Sequence, residues 1–123
     1  MSFTLGISSF YHDSAACLLK DAEIVAAAQE ERFTRVKHDP SFPVESINYC
    51  CREAGIEFSE INSVGYYEIP SLKLDRMLKT FEHYSPFGSL AFHHAISKWI
   101  ESKGEVSQII SSMFPGAKTH FNE

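Results

Sequence analysis

Two short polar segments hold the side chains whose types and spacing could perform chemistry. The first is Tyr11-His12-Asp13-Ser14, and the second covers residues 30–42. An imidazole titrates near neutral pH, so His12 is a candidate general base toward a substrate hydroxyl group. The other polar side chains that we consider as substrate-binding candidates are Asp13, Ser14, Arg35, Lys37 and His38. The competing interpretation is a turn stabilised by Asp13 and, later in the chain, a solvated loop whose charges form only weak ion pairs.

Three apolar runs flank these polar segments and predict the strands that position them. The interruptions between the runs are too short for helices, which favours consecutive antiparallel strands. We predict the strands at residues 3–8, 14–19 and 23–29. In such a meander, the loop after the first strand and the segment after the third strand lie at the same end of the sheet. The sequence therefore predicts that His12 and Lys37 share one polar cleft.

The third strand and the turn before it give two more specific expectations. Residues 24–28 are apolar on both faces, which is typical of an interior strand covered on both sides. The turn at residues 20–23 contains Ala22, whose side chain disfavours a positive φ. We therefore expect a loose turn here rather than a tight two-residue hairpin.

The remainder of the chain alternates helical and strand patterns, as in an α/β domain. A helix with one apolar face starts with Pro43 at its first position and ends at Gly55. A fourth strand within residues 61–69, which carry Val64–Tyr67, is expected to pair parallel to the first strand through this helical crossover. Further helices are predicted at residues 72–81, 90–101 and 106–113, with a last strand at residues 118–122.

Composition argues against several classes of function. The 123 residues suit one domain, and the net charge of −5 argues against a nucleic-acid partner. No apolar run approaches the length of a membrane span, and the three cysteines are odd in number, so we predict a cytoplasmic protein with reduced thiols. The neighbouring His93 and His94 are not a predicted metal site, because adjacent helical residues point in different directions.

The polar segments also carry a family resemblance. Residues 10–19 read FYHDSAACLL, residues 28–38 read AQEERFTRVKH, and Phe42-Pro43 follows. In this order and at this distance, these blocks resemble the start of the O-carbamoyltransferases of the nodulation-protein and cephem-carbamoylating type. The resemblance is strong over residues 1–55 and looser beyond them. It implies an α/β fold of the ribonuclease-H-like, actin and sugar-kinase superfold, in which a three-stranded antiparallel meander is extended by parallel strands.

The resemblance implies that residues 1–123 form a single partial domain, the N-terminal lobe of an actin-like domain. The second lobe and an adenylate-forming domain are expected outside this chain, which alone is expected to be inactive. The whole enzyme would convert carbamoyl phosphate and ATP to carbamoyl-adenylate and transfer the carbamoyl group to a hydroxyl of a sugar, antibiotic or other metabolite. By resemblance, His12 binds the acceptor or acts as the base, and Lys37 meets anionic groups of the activated donor.

The same resemblance implies the cofactors and partners. ATP and a divalent metal, iron, are expected in the whole protein, but the helical His-x-x-x-His motif of the family does not occur in this sequence. We therefore expect no cofactor and no metal ligands within this chain. The expected partners are carbamoyl-adenylate, a hydroxyl-bearing small molecule and the remainder of the chain. A partial domain with an uncovered sheet edge is also expected to self-associate.

The alternative from a different functional class is a non-catalytic nucleotide-binding or assembly lobe of the actin-like ATPase superfold. The first hairpin of such lobes usually carries Asp-x-Gly with further glycine and threonine residues for phosphate contact. This chain has Tyr11-His12-Asp13-Ser14 at that place, which favours the carbamoyltransferase hypothesis.

Overall fold

The computed structural model describes residues 2–67, 70–84, 93–94, 97 and 106–121. Its elements follow the predicted order of three strands, a helical crossover, a strand, further helices and a strand. The strands are β1 Phe3–Ser8, β2 Ala15–Lys20, β3 Glu23–Gln29, β4 Ser63–Tyr66 and β5 Lys118–Phe121. The helices are α1 Glu31–Thr34, α2 Val44–Ala54, α3 Pro70–Tyr84 and α4 Val106–Met113, and a 3-10 turn spans Phe58–Glu60. The helix predicted at residues 90–101 lies largely outside the described residues.

The five strands form one mixed sheet in the order β3-β2-β1-β4-β5. The pairs β1–β2 and β2–β3 are antiparallel, whereas β4 pairs parallel to β1 and β5 pairs parallel to β4. This is the meander extended by parallel strands that the sequence predicted, and it confirms the ribonuclease-H-like, actin-type fold class. Among the described residues, no helix is both long enough and apolar enough to cross a membrane.

One face of the sheet forms the core together with α2 and α4. Along β1 the side chains alternate, so that Phe3, Leu5 and Ile7 are buried while Thr4, Gly6 and Ser8 are only partly covered. The buried β1 residues join a core cluster that contains residues of both helices: Ile47, Cys50, Val106 and Ile110. This period of two fixes the register of β1, so the polar loop that follows Ser8 must leave at one defined end of the sheet.

The prediction of β3 as an interior strand is wrong. β3 lies at the edge of the described sheet, where Ile24 is 70% exposed and Val25 is 36% exposed. The register slips between Leu18 and Leu19 of β2, which leaves Val25 as an extra residue in a β-bulge. The run 24–28 misled the prediction because three of its five residues are alanines, whose small side chains tolerate either burial or exposure.

The expected loose turn between β2 and β3 is also wrong. Lys20 pairs with Glu23, so the connection contains only Asp21 and Ala22. Asp21 takes the positive φ of 57°, and Ala22 is not among the residues with positive φ. Asp21 tolerates this conformation, and its carboxylate accepts a hydrogen bond from the Ser2 backbone N–H at 3.0 Å. The tight turn therefore forms without placing Ala22 in the conformation that disfavours it.

The crossover helix α2 agrees with the prediction except at its start. Gly55 ends α2 with a φ of 69°, and its N–H donates to the carbonyl groups of the last turn. Pro43 precedes the first helical residue instead of occupying the first helical position. The region between β3 and α2, expected as an irregular connection, contains the short helix α1.

Candidate functional site

The loop between β1 and β2 meets the segment between β3 and α2 at one end of the sheet. Backbone hydrogen bonds join the two: Ser14 N–H donates to the Asp39 carbonyl at 2.9 Å, and Phe10 N–H donates to the Pro40 carbonyl at 2.6 Å. From the other side, Glu30 N–H donates to the Ser14 carbonyl at 2.8 Å. The two polar segments of the sequence are therefore one structural unit.

Asp13 links two histidines, one from each segment. Its Oδ2 lies 2.8 Å from His12 Nδ1, and its Oδ1 lies 2.8 Å from His38 Nδ1. An ionised carboxylate can only accept hydrogen bonds, so both rings donate their Nδ1–H to it. This tautomer leaves Nε2 of His12 as the atom that can accept a proton. The His12 side chain is 58% exposed, so a small molecule can reach it.

The hydrogen bond from His38, and then that from His12, holds the pKa of the Asp13 carboxyl below its usual value. In return, the hydrogen bond to Asp13 raises the pKa of the His38 imidazole. Asp13 and His38 adopt positive φ values of 52° and 57°, in the left-handed region that Asp and His enter more readily than most other non-glycine residues.

Glu30, the first residue of the segment whose alternative interpretation was a solvated loop, instead anchors the site to α2. It is buried, and its Oε1 accepts hydrogen bonds from the Ser46 N–H and hydroxyl, both at 2.9 Å. Its Oε2 accepts from the Glu45 N–H at 3.2 Å. A carboxylate at a helix N-terminus satisfies free N–H groups and interacts favourably with the helix dipole. This side chain fixes where α1 starts relative to α2.

Two tyrosines of the β4 region hold the start of the β1–β2 loop, and the sequence analysis did not identify their role. Tyr66 and Tyr67 both donate a hydroxyl hydrogen bond to the Ser9 carbonyl, at 3.0 Å and 3.2 Å. Tyr11 packs its ring on His12 with a centroid distance of 4.3 Å and is 69% exposed. The parallel pairing of β4 with β1 could have suggested the contact, since Tyr66 pairs with Ile7 at the end of β4 and Tyr67 follows it.

The other predicted site residues occupy different environments. Ser14 is fully buried, and its hydroxyl finds no hydrogen-bond partner among the residues that the structure describes. Arg35 ends α1 with a φ of 63°, and both Arg35 and Lys37 are exposed, without an ion pair to any described residue. No hydrogen bond joins Lys37 to His12; the neighbouring residue His38 is the one that reaches Asp13. The roles of these residues in substrate binding remain predictions.

A groove of about 480 Å³ crosses the face of β1, β2 and β3 that is opposite the core. Small side chains line much of it, and cross-strand pairing places Gly6, Cys17 and Ala27 in one row. Arg32 of α1 is the charged residue among those described in its lining. A volume of this size is typical of sites for small molecules.

Three side chains of the site could together hold a metal ion. Asp13, Glu31 and His38 each offer one ligand atom, and these atoms all lie within 4.8 Å of one another. The exposed His93 and His94 are not part of this group.

Comparison with known proteins gives consistent matches. The family described as carbamoyltransferase N-terminus matches residues 4–115. An uncharacterized protein of Synechocystis sp. is 52% identical over 103 residues, covering 84% of this chain and 17% of the relative. The nodulation protein NolNO of Sinorhizobium fredii is 38% identical over 81 residues, covering 63% of this chain and 12% of that protein. An uncharacterized protein of Pseudomonas aeruginosa, similar to the peptidase YeaZ, aligns with a TM-score of 0.49 at 13% identity, over 98% of this chain and 44% of that one.

The chain thus spans less than a fifth of the length of the two sequence relatives, at 17% and 12%. The family match, by contrast, covers nearly all of the chain, including both segments of the site. The chain therefore belongs to the carbamoyltransferase N-terminus family.

Proposed function

We propose that this chain forms the acceptor side of the transfer site of an O-carbamoyltransferase. In the whole protein, carbamoyl phosphate, ATP and water would yield carbamoyl-adenylate, pyrophosphate and phosphate, and the carbamoyl group would then pass to a hydroxyl of a small molecule. Membership of the carbamoyltransferase family supports the reaction class. The observation that carries the proposal within this chain is the hydrogen bond between His12 and Asp13, in a loop that lies against the β3–α2 segment.

His12 is the proposed general base. Asp13 holds the Nδ1 side of the ring, so Nε2 can take the proton from the acceptor hydroxyl. The acceptor oxygen then forms a bond to the carbamoyl carbon, and the bond from that carbon to the phosphate oxygen breaks, releasing AMP. Orientation of a histidine by a hydrogen-bonded carboxylate is the arrangement that many acyl-transfer sites use.

The residues around His12 would bind the two substrates. The exposed Arg35 and Lys37 carry positive charge close to the site in sequence and are suited to the phosphate of the adenylate. The groove on the sheet face would take the body of the acceptor, with Arg32 meeting any acidic group on it. Ser14 is buried, so we assign its contribution to the backbone hydrogen bonds that fix the loop.

The proposal is tested by substituting His12 in the whole protein. We expect His12→Asn to lower transfer to sugar or other hydroxyl acceptors by about 10²–10⁴-fold, the usual contribution of a general base. Pyrophosphate release in the first turnover, which needs no acceptor, should stay unchanged, because adenylate formation is assigned to a different domain. His94→Asn, an exposed helical histidine, is the matched control. An equal loss of both half-reactions would contradict the role given to His12.

A further inference from the structure

A second feature, which shares Asp13 with the transfer proposal, is the cluster of Asp13, Glu31 and His38. The three residues come from separate parts of the chain: the β1–β2 loop, the first turn of α1 and the turn after α1. Their ligand atoms all lie within 4.8 Å of one another. The Asp13 Oδ1 to His38 Nδ1 distance is 2.8 Å, and His38 N–H donates to Glu31 Oε2 at 3.4 Å.

We propose that Asp13, Glu31 and His38 form a binding site for one divalent first-row metal ion. An imidazole with two carboxylates is a donor set that such ions prefer. Asp13 would bind the ion through Oδ1, while its Oδ2 would still accept the hydrogen bond from His12. The ion would replace the proton on His38 Nδ1 that forms the hydrogen bond to Oδ1. Asp13 would then bind the ion directly, and His12 would be an outer residue that donates a hydrogen bond to this ligand, an arrangement common around ligating carboxylates.

The spacing of the donor atoms fits a single ion. Metal bonds to nitrogen and oxygen are about 2.0–2.2 Å long, so ligands on opposite sides of an ion lie about 4.2 Å apart. Donor atoms that already lie within 4.8 Å need only small side-chain rotations to reach this geometry. The side chains of Asp13 and His38 are 29% and 60% exposed, which gives them that freedom and gives an ion access.

The charge balance of the cluster points the same way. Two carboxylates lie close together, and among the described residues no lysine or arginine comes within salt-bridge distance of Asp13 or Glu31. The histidines that pair with Asp13 carry charge only when protonated, so among the described residues no permanent positive charge occupies the position proposed for the ion. The site is separate from the helical His-x-x-x-His motif of the family, which this sequence lacks, and it does not depend on the transfer reaction.

The test uses the purified 123-residue chain without an affinity tag, after dialysis against a chelator. Co²⁺ is titrated while visible absorption reports its coordination, and calorimetry gives stoichiometry and affinity. We expect one Co²⁺ ion per chain, displaced by Zn²⁺. Asp13→Asn, Glu31→Gln and His38→Asn should each raise the Kd at least about tenfold, since even outer-ligand changes cost 10–100-fold. The double variant His93→Asn/His94→Asn should bind as the parent does.

Two results would overturn the proposal. One is the absence of saturable Co²⁺ or Zn²⁺ binding below about 1 mM, which would leave the cluster as a hydrogen-bonded surface group. The other is binding that the three ligand variants leave unchanged or that the His93/His94 variant abolishes, which would place the ion elsewhere. Circular dichroism monitors folding of each variant. Glu31→Gln keeps the test decisive if Asp13→Asn fails to fold, because the 3.4 Å contact with the His38 backbone N–H is the only hydrogen bond of the Glu31 side chain among the described residues.

Discussion

The buried Glu30 gives the most direct test of how the site is anchored. Ser46 is fully buried, so Glu30→Ala leaves both its N–H and its hydroxyl without an acceptor. Each unsatisfied buried donor costs about 1–3 kcal/mol, whereas water can replace the contact to the exposed Glu45. We therefore expect Glu30→Ala to lower the free energy of unfolding by about 2–5 kcal/mol.

The variant Glu30→Gln removes the charge of this side chain but keeps its size. Glu30→Gln keeps one oxygen for Ser46 but places an amide NH₂ against the Glu45 N–H, and we expect it to cost about 1–2 kcal/mol. Urea denaturation followed by circular dichroism measures both variants. With an m-value of about 2 kcal/mol/M, the loss of about 2–5 kcal/mol should lower the midpoint of the alanine variant by about 1–2.5 M. Glu53→Ala, on the exposed side of α2, is the control and should stay within about 0.5 kcal/mol.

The double variant Glu30→Ala/Ser46→Ala gives a further check, because it removes the Ser46 hydroxyl together with the carboxylate that accepts its hydrogen bond. We expect it to be more stable than the sum of the single changes predicts. The anchoring role would be refuted if Glu30→Ala were no more destabilising than Glu53→Ala, or if the two substitutions at Glu30 and Ser46 were simply additive.

Two further predictions concern thiol reactivity and helix termination. Burial raises the pKa of the Cys50 thiol to about 11, and it also raises the pKa of the Cys51 thiol. We therefore expect iodoacetamide at pH 8 to label the partly exposed Cys17 first. Equal labelling of all three cysteines, measured by mass spectrometry, would contradict this. Gly55→Ala should lower the free energy of unfolding by about 1–2 kcal/mol, because Gly55 has a φ of 69°. Gly116 has no positive φ, so Gly116→Ala is the control and should change the unfolding midpoint little. Equal midpoint shifts in the two variants would contradict the role of Gly55 at the end of α2.

The strand pattern of this fold could be predicted from the sequence because it depends on local alternation. β1 and β3 begin and end at the predicted residues, and the parallel partner of β1 lies inside the predicted segment. The position of β3 in the sheet could not be predicted in the same way. Alanine-rich strands do not reveal how many of their faces are covered, and the bulge at Val25 breaks the alternation.

The site was predicted at the level of segments but not of contacts. Sheet topology alone brings the loop with His12 to the segment after β3, as expected. Which side chain meets Asp13 depends on the short helix α1 and on the positive φ of His38, and neither follows from residue spacing. The role of Glu30 was missed for a related reason, since its partners lie in a helix 15 and 16 residues away in sequence.

The hydrogen bonds from Tyr66 and Tyr67 to Ser9 also bear on the order of events in folding. Their partners are separated by 57 and 58 residues, whereas the β1–β2–β3 meander needs only local contacts. Contacts between residues far apart in sequence form slowly, because a long loop must close first. During synthesis, the meander can therefore form as soon as β3 has emerged, but the loop that presents His12 acquires its hydroxyl anchors only after residue 67 has left the ribosome.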